Sequence, residues 1–341
     1  MEPTLVQAST LASRRLRPAL GLLAAAALLA ACGGGGNDGP QAVEIRFATV
    51  AGSTPVNCAT TSIPSLGSTN ATGRLKDARF YIMNVSLVRA DGSEEPLKLP
   101  ANDNWNATSG NERVTLIDLE DKTGACDGTP ETNPSVKGTV PAGIYVGVKM
   151  SMGVPFVLNH TNQGAGVDVT PAVVNNAVNP GMAWAWAGGR KFAKIELTDT
   201  LAASPAGTAG KWKDPVFNVH IGSTGCTGTN PAAGQVDRCA APNRTAVHFA
   251  AFNPDTQQVN VDVRALLAGN NVTTNVSSAL GCMSGGTDFE CPAVFTALQV
   301  GFNGETPAGA AYTVGKVGDA SNWGLPINNG AAQTVFKVAT R

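Results

Sequence analysis

Apolar stretches of strand length recur along most of the chain, and they constrain its fold more than any other feature. Each alternates or runs apolar between Gly, Pro or Asn residues, which is typical of strands separated by turns. This pattern predicts an all-β protein, an antiparallel sandwich or barrel, and of the two we expect a β-sandwich with long loops. The only predicted helix is a short one at Arg264–Ala268. The predicted strands are Val43–Val50, Ala78–Ala90, Arg113–Leu119, Gly143–Met152, Lys191–Leu197, Pro215–Ile221, Thr245–Phe252, Gln258–Val263, Ala293–Val300 and Gln333–Ala339.

The composition excludes several other classes of protein. Charged residues make up 14% of the 341 residues, and 24 basic against 25 acidic side chains leave a net charge of −1. A coiled coil needs many more charges, and a nucleic-acid-binding protein needs a basic excess. Hydrophobic residues make up 43%, which is enough to bury a core. Because no shift in composition marks a boundary, we predict a single domain over residues 43–341.

The N-terminus has the features of an export signal. Three arginines precede the apolar run Ala19–Ala30, which is too short to span a bilayer because a spanning helix needs about 20 residues. The run ends in the sequence Leu-Ala-Ala-Cys at residues 29–32, which resembles the bacterial lipobox. We therefore predict a lipoprotein signal peptide at residues 1–31 and a lipid on Cys32, although an ordinary cleaved signal is the alternative. A flexible Gly-rich tether at 32–42 would then hold the protein on the periplasmic side of the cell envelope.

The six remaining cysteines are expected to form three disulfides, because exported proteins fold in an oxidising compartment. Fifteen pairings are possible. Short loops favour Cys226–Cys239 and Cys282–Cys291, which leaves Cys58 and Cys126. No C-x-x-C sequence occurs, so zinc-ribbon and thioredoxin-like sites lose their main support.

Histidine is scarce, so any imidazole-based metal site must use His160, His220 or His248. Trp184 and Trp186 lie two residues apart and would face the same side of an extended segment. A hydrolase is the weakest interpretation, because no G-x-S-x-G sequence is present and no histidine-based triad can be assigned.

At these residues the sequence resembles the MbnP family, whose members are also described as four-cysteine metallo-mystery pair proteins with a W-x-W motif. The matching segments run in family order over most of the mature chain. They are Asp77–Tyr81, Leu116–Asp121, Gly153–His160, Trp184–Trp186 with Lys191 and Phe192, His220–Cys226, Cys239 with Pro242–Arg244, and Gly281–Ser284 with Cys291.

The resemblance implies a periplasmic copper-binding protein, not an enzyme, which is produced with a di-haem peroxidase-like (MbnH-like) partner. In the family, this partner oxidises a tryptophan to kynurenine, which contributes to the copper site. His160 and His220 match the two motif histidines and are the implied copper ligands. Trp184 and Trp186 match the W-x-W motif, and either could be the oxidised residue. His248 matches no family segment.

Other interpretations remain open at this stage. A cell-envelope β-sandwich that binds sugar or protein without metal would use Trp184 and Trp186 as ordinary packing or contact residues. Arg190 departs from the family, in which an aromatic residue usually stands at this position, and we expect the change to affect partner docking more than metal binding. The acidic residues Asp118, Glu120, Asp121 and Asp127 could bind calcium, but their spacing fits no EF-hand, and we favour a structural acidic loop.

Overall fold

Strands dominate the computed structural model, which describes residues 39–161, 170–184, 189–199, 216–231, 235–277 and 279–341. Eighteen strands, numbered β1 to β18 in chain order, are present in these ranges. They are Gln41–Ala51, Thr54–Pro55, Ile63–Leu66, Ala71–Val88, Glu94–Pro96, Asn106–Ser109, Glu112–Asp118, Ser135–Val140, Gly147–Met152, Ala183–Trp184, Gly189–Arg190, Ala193–Asp199, Val216–Ile221, Thr224–Thr227, Arg238–Ala241, Thr245–Phe249, Gln257–Asp262 and Phe336–Thr340. The predicted all-β class is therefore confirmed.

Two larger sheets carry most of the strands. The first has the order β13-β12-β4-β7-β6, with β3, β5 and β9 also paired to β4 and with β16 paired to β9. The second has the order β18-β17-β1-β2, and β8 pairs with another part of β1. Every pairing between these strands is antiparallel except β1 with β17, which is parallel. The antiparallel prediction thus holds for the sheets as a whole, with this single exception among the described residues.

The two sheets pack against each other through aromatic side chains. Phe47 on β1 and Phe80 on β4 meet edge to face with ring centroids 5.6 Å apart. Phe336 on β18 contacts the same Phe80 ring at 6.1 Å, again edge to face. Such pairs contribute about 0.5–1.5 kcal/mol each beyond the burial of their area. The core of the sandwich therefore lies between β4 on one side and β1 and β18 on the other.

The strand predicted at Ala293–Val300 is wrong, because this segment is a helix. Three α-helices occur in the described residues, α1 at Phe156–Asn159, α2 at Val263–Leu267 and α3 at Cys291–Leu298, with 3-10 turns at Ala172–Val174 and Ile327–Gly330. In α3 the buried residues Cys291, Val294, Phe295 and Leu298 follow helical spacing, and a proline occupies its first turn. Helix α2 confirms the predicted short helix.

All three disulfides form as the short-loop argument favours. They join Cys58 to Cys126, Cys226 to Cys239, and Cys282 to Cys291. The disulfide-stapled description of the fold is therefore confirmed. Cys32 lies outside the described residues, so its lipidation stays a prediction, as does the division into signal peptide, tether and single domain. Within the described residues, no helix combines the length and the hydropathy needed to cross a bilayer.

The acidic segment that follows β7 is held by its own loop. Asp118 accepts a hydrogen bond from the backbone amide of Glu120, and Glu120 accepts hydrogen bonds from the amides of Lys122 and Thr129. The Asp127 carboxylate forms an ion pair with Lys76. These contacts support the structural interpretation of the acidic loop rather than a calcium site.

Candidate metal centre

A two-stranded hairpin of β10 and β11 positions Trp184. Trp184 pairs with Gly189 across the hairpin, and its side chain is buried. The indole lies over Gly222, where a Cβ atom would come within 2.2 Å of the indole atom Cζ3. Only glycine fits at this position without moving the ring. Residues 185–188 lie outside the described residues, so the predicted site residue Trp186 is not placed.

His220 lies near the end of β13, and the sheet buries its imidazole. Its Nε2 atom is 2.7 Å from Oε1 of Glu196 on the neighbouring strand β12. The other ring nitrogen, Nδ1, is buried and has no hydrogen-bond partner among the described residues. A buried nitrogen without a partner is costly, so such an atom indicates a position where a ligand or water completes the structure.

The charges around His220 favour a neutral imidazole with its lone pair on Nδ1. Burial lowers the pKa of His220, and the hydrogen bond that it donates to Glu196 opposes this effect without reversing it. Burial raises the pKa of Glu196, but the hydrogen bond to His220 and the charge of Lys194 outweigh it and hold that pKa at about 2. The ionised carboxylate accepts a hydrogen bond, so Nε2 carries the proton. This pairing of carboxylate and imidazole is typical of histidines that bind metal through the other nitrogen.

A buried cluster of charges fixes Glu196 from behind. Lys194 Nζ lies 3.2 Å from Glu196 Oε1 and also pairs with Asp77. Asp77 in turn accepts a hydrogen bond of 2.6 Å from Arg79 Nη2. Because each of these side chains has an oppositely charged partner, the cluster can hold Glu196 in one orientation despite its burial.

A cavity of about 480 Å³ connects His220 with Trp184. Met283, Asp288 and Lys191 also line it, so a thioether and a carboxylate are available beside the imidazole. Burial raises the pKa of Asp288 to about 6 and lowers that of Lys191 to about 8. Nitrogen and sulfur donors together suit copper better than they suit magnesium or calcium.

His160 approaches the same hairpin from another direction. It caps the C-terminus of α1, and its ring packs on Phe156 at 5.1 Å. Nε2 lies 2.9 Å from the Asn159 side-chain amide nitrogen and 3.3 Å from Cys239 Sγ. A Cβ atom on Gly189, the partner of Trp184, would lie 3.4 Å from His160 Cε1.

The group formed by His160, Cys226 and Cys239 is close enough for metal ligation by distance alone. Both sulfurs belong to one disulfide, however, and the thiolate is the form of cysteine that binds metals. The disulfide therefore acts here as a structural neighbour of His160 rather than as a ligand.

Arg190 has a different role from the one that the sequence suggested. Its side chain is 1% exposed, so it is not available to contact a docking partner. Its Nη1 donates to the Asn159 carbonyl at 3.0 Å, and its Nη2 donates to Thr161 Oγ1 at 2.6 Å. Its backbone amide also donates to Asn159 Oδ1 at 2.8 Å. Arg190 thus attaches the segment that carries His160 to the hairpin that carries Trp184.

The fold therefore brings His220 and Trp184 to one cavity, and it places His160 beside Gly189, the hairpin partner of Trp184, although His160 does not line that cavity. His248 is exposed on β16, opposite Lys149 of β9. Glu196 was missed from the sequence. The available signals were its position in the alternating strand β12 and the antiparallel pairing of that strand with its neighbour β13, which carries His220.

Comparison with known proteins identifies the family of the chain. The MbnP family model matches residues 40–284. The chain belongs to the MbnP family. A solved structure of MbnP from Methylosinus trichosporium is similar, with 33% sequence identity and a TM-score of 0.69 over 89% of this chain and 99% of that chain. No curated protein sequence matches the chain. The predicted resemblance to MbnP is thus confirmed.

The MbnP family match ends at residue 284, yet the cavity beside His220 continues beyond it. Asp288 and Tyr312, which line that cavity, lie in the segment after the matched range. The C-terminal part of this MbnP-family protein therefore contributes directly to the surroundings of the matched histidine.

Proposed function

We propose that this protein is a copper-binding lipoprotein of the cell envelope, a carrier or scavenger rather than an enzyme. Copper is its cargo, and His160, His220 and one oxidised tryptophan of the pair Trp184 and Trp186 hold it. Membership of the MbnP family supports an association with copper. The signal-peptide and lipobox pattern before Cys32 supports anchoring by lipid on the periplasmic side.

The state of His220 carries this proposal. A neutral imidazole is a good copper ligand, and in this protein the ring is buried, oriented by Glu196 and without a partner on Nδ1 among the described residues. The adjoining cavity also contains the Met283 thioether and the Trp184 indole. These donors fit copper, which binds nitrogen ligands most tightly among the divalent first-row ions and accepts sulfur ligands as Cu(I).

An unmodified indole is a poor ligand, because its nitrogen lone pair belongs to the ring, and this explains why oxidation of tryptophan would be needed. A di-haem peroxidase-like partner would cleave the indole C2–C3 bond with two equivalents of hydrogen peroxide, which add two oxygen atoms and leave two waters. Hydrolysis of the N-formyl product then releases formate and gives kynurenine, whose aryl amine and ketone can coordinate a metal. In this scheme the protein is the substrate of its partner.

Copper titration of the matured protein tests the metal site. His160→Ala and His220→Ala are each expected to abolish tight copper binding, since the remaining donors form a sparse site. His248→Ala is the matched control, because His248 is exposed and does not line the cavity, and the variant should bind copper as the wild type does. If both site variants retain wild-type affinity, the protein is better described as an envelope binding module without metal.

Intact mass tests the maturation step. Protein produced together with its di-haem partner should differ from protein produced alone by the mass change of tryptophan-to-kynurenine conversion. Trp184→Phe and Trp186→Phe variants identify the modified residue, since only one of them should lose the change. An identical mass in both preparations, with the partner shown to be active on peroxide, would contradict the maturation proposal.

A further inference from the structure

The turn that connects the second sheet to the first displays an apolar side chain to solvent. Ile144, between β8 and β9, is 82% exposed, more than any other large apolar residue that the structure describes. Val146, two residues later, is 38% exposed. Single exposed aliphatic residues are common, so exposure alone does not indicate a function. The contacts that hold this turn and its position in the chain do indicate a function.

Several contacts hold the turn in place, so Ile144 is displayed by a supported structure. The Tyr145 hydroxyl donates to the Pro141 carbonyl at 2.8 Å, and Arg89 lies over the Tyr145 ring at 4.6 Å. The backbone amide of Val146 donates to the Val88 carbonyl at 2.8 Å. These bonds fix both ends of the turn and the orientation of its aromatic residue.

The turn also contacts the residue at which the folded domain begins. The Gly143 amide donates to Gln41 Oε1 at 3.1 Å, and Gln41 is the first residue of β1. Only residues 33–40 separate Gln41 from Cys32. A chain of that length spans at most about 30 Å even when it is fully extended. A lipid on Cys32 would therefore keep this end of the domain close to the bilayer.

We propose that Ile144 and Val146 insert into the surface of the lipid bilayer that anchors the protein, with Tyr145 at the level of the head groups. This inference rests on the lipid anchor of the proposed function. Tyrosine is enriched at membrane interfaces, and the burial of one or two aliphatic side chains gives only a weak contact. A weak contact is sufficient, because the anchor already supplies a high local concentration of membrane.

The charges nearby indicate an apolar contact rather than an electrostatic one. Arg89 is the basic residue beside the turn, and Glu95 lies 3.7 Å from it. Asp255 lines the same surface depression as Ile144. Because these described groups carry no net positive charge, the contact needs no anionic lipid, and it should resist added salt.

Amide hydrogen exchange on vesicles of pure phosphatidylcholine tests the proposal. The lipidated chain is compared with the Cys32→Ser chain free in solution. Peptides covering residues 141–147 are expected to exchange about threefold more slowly on vesicles, since insertion excludes water from the turn. Ile144→Asp in the lipidated chain should remove this protection. Val157→Asp is the matched control, because Val157 is 56% exposed but lies within α1, away from the turn in sequence.

The outcomes separate this proposal from the lipid anchor itself. If intact mass shows no lipid, the anchor is wrong, and coupling the Cys32 thiol to maleimide-bearing phosphatidylcholine vesicles recreates the same tether for the exchange measurement. Equal exchange of residues 141–147 on vesicles and in solution would overturn the membrane contact. So would protection that appears in solution with rising protein concentration, which would instead indicate contact with a second copy.

Discussion

The two predicted copper-binding histidines lie in contrasting surroundings. His220 belongs to a strand inside a large sheet, and a buried carboxylate on the adjacent strand orients its ring. His160 ends a helix of four residues, and its ring is placed by Asn159, Phe156 and the Cys226–Cys239 disulfide. The first site is fixed by the regular ladder of the sheet and by charge. The second is fixed by cross-links between loops.

This difference suggests that the two histidines can be disturbed independently. A change in the disulfide or in Arg190 should move His160 and leave His220 in place. A change in Glu196 should alter His220 alone, because β12 and β13 hold the backbone of both residues.

Loss of the Cys226–Cys239 disulfide should have the largest combined effect on stability and copper binding. The double variant with Cys226→Ser and Cys239→Ser loses a disulfide between residues 13 positions apart in sequence. The free energy of unfolding should therefore fall by about 3 kcal/mol. Copper affinity should fall as well, because Cys239 Sγ lies against the His160 ring. Denaturant unfolding and copper titration measure the two effects.

The matched control for this change is removal of the Cys58–Cys126 disulfide. Its sequence separation is 68 residues, so it should cost more stability, about 4 kcal/mol, while leaving copper affinity unchanged. If both double variants lose copper affinity in proportion to stability, the disulfide does not position His160 specifically, and the contrast between the two histidines fails.

Glu196→Gln should weaken copper binding by about 10- to 100-fold through His220, as loss of a carboxylate that orients a metal-bound histidine usually does. The amide keeps the size of the side chain but removes the negative charge that stabilises the Nε2 proton. Glu94→Gln, which removes only an exposed partner of Lys149, is the control. Affinity equal to that of the wild type would show that Glu196 serves the charge cluster and not the metal site.

Gly222→Ala should displace Trp184 and cost about 1–3 kcal/mol of stability, because the new methyl group would overlap the indole. Conversion to kynurenine by the partner should then decrease if Trp184 is the modified residue. Gly285→Ala is the control, since Gly285 borders the same cavity and a Cβ atom there meets nothing within 4 Å. Tryptophan fluorescence and intact mass report the outcome, and an unchanged yield of kynurenine would point to Trp186.

The sequence was most informative where local rules decide the structure. Strand alternation predicted most of the sheets, and short loops favoured the disulfide pairs that form. The strand predicted at Ala293–Val300 was wrong because a short apolar run does not distinguish a strand from a buried helix. The helical spacing from Cys291 and the proline after it were the better evidence.

The surroundings of the site were harder to predict, because they depend on contacts between distant parts of the chain. Arg190 is buried and bonds to carbonyls about 30 residues away in sequence. Glu196 meets His220 only because two antiparallel strands place them diagonally. Sequence patterns identify such residues as strand positions, and only the register of the sheet reveals their partners.

The smallest predicted effect concerns the charge cluster behind His220, and it depends on pH. Burial raises the pKa of Asp118 from 3.8 to about 7, so the folded protein binds a proton there that the unfolded chain releases. Its contribution to stability is therefore fully present below pH 4 and is lost as the pH rises through 7.

Asp118→Asn removes this dependence while its side-chain oxygen can still accept the Glu120 amide hydrogen bond. The variant should be more stable than the wild type at pH 8, because a neutral amide avoids the cost of ionising this buried carboxyl. At pH 5.5 the advantage should be smaller, because the folded carboxyl is then protonated, and it should disappear only below about pH 4, where the unfolded chain is protonated as well. Thermal unfolding at the two pH values measures this, with the exposed Asp255→Asn as control. If the difference in stability between the variant and the wild type is the same at both pH values, Asp118 is ionised in the fold and stabilises the cluster through Arg79. In that case, charge holds the His220 side of the site throughout this pH range.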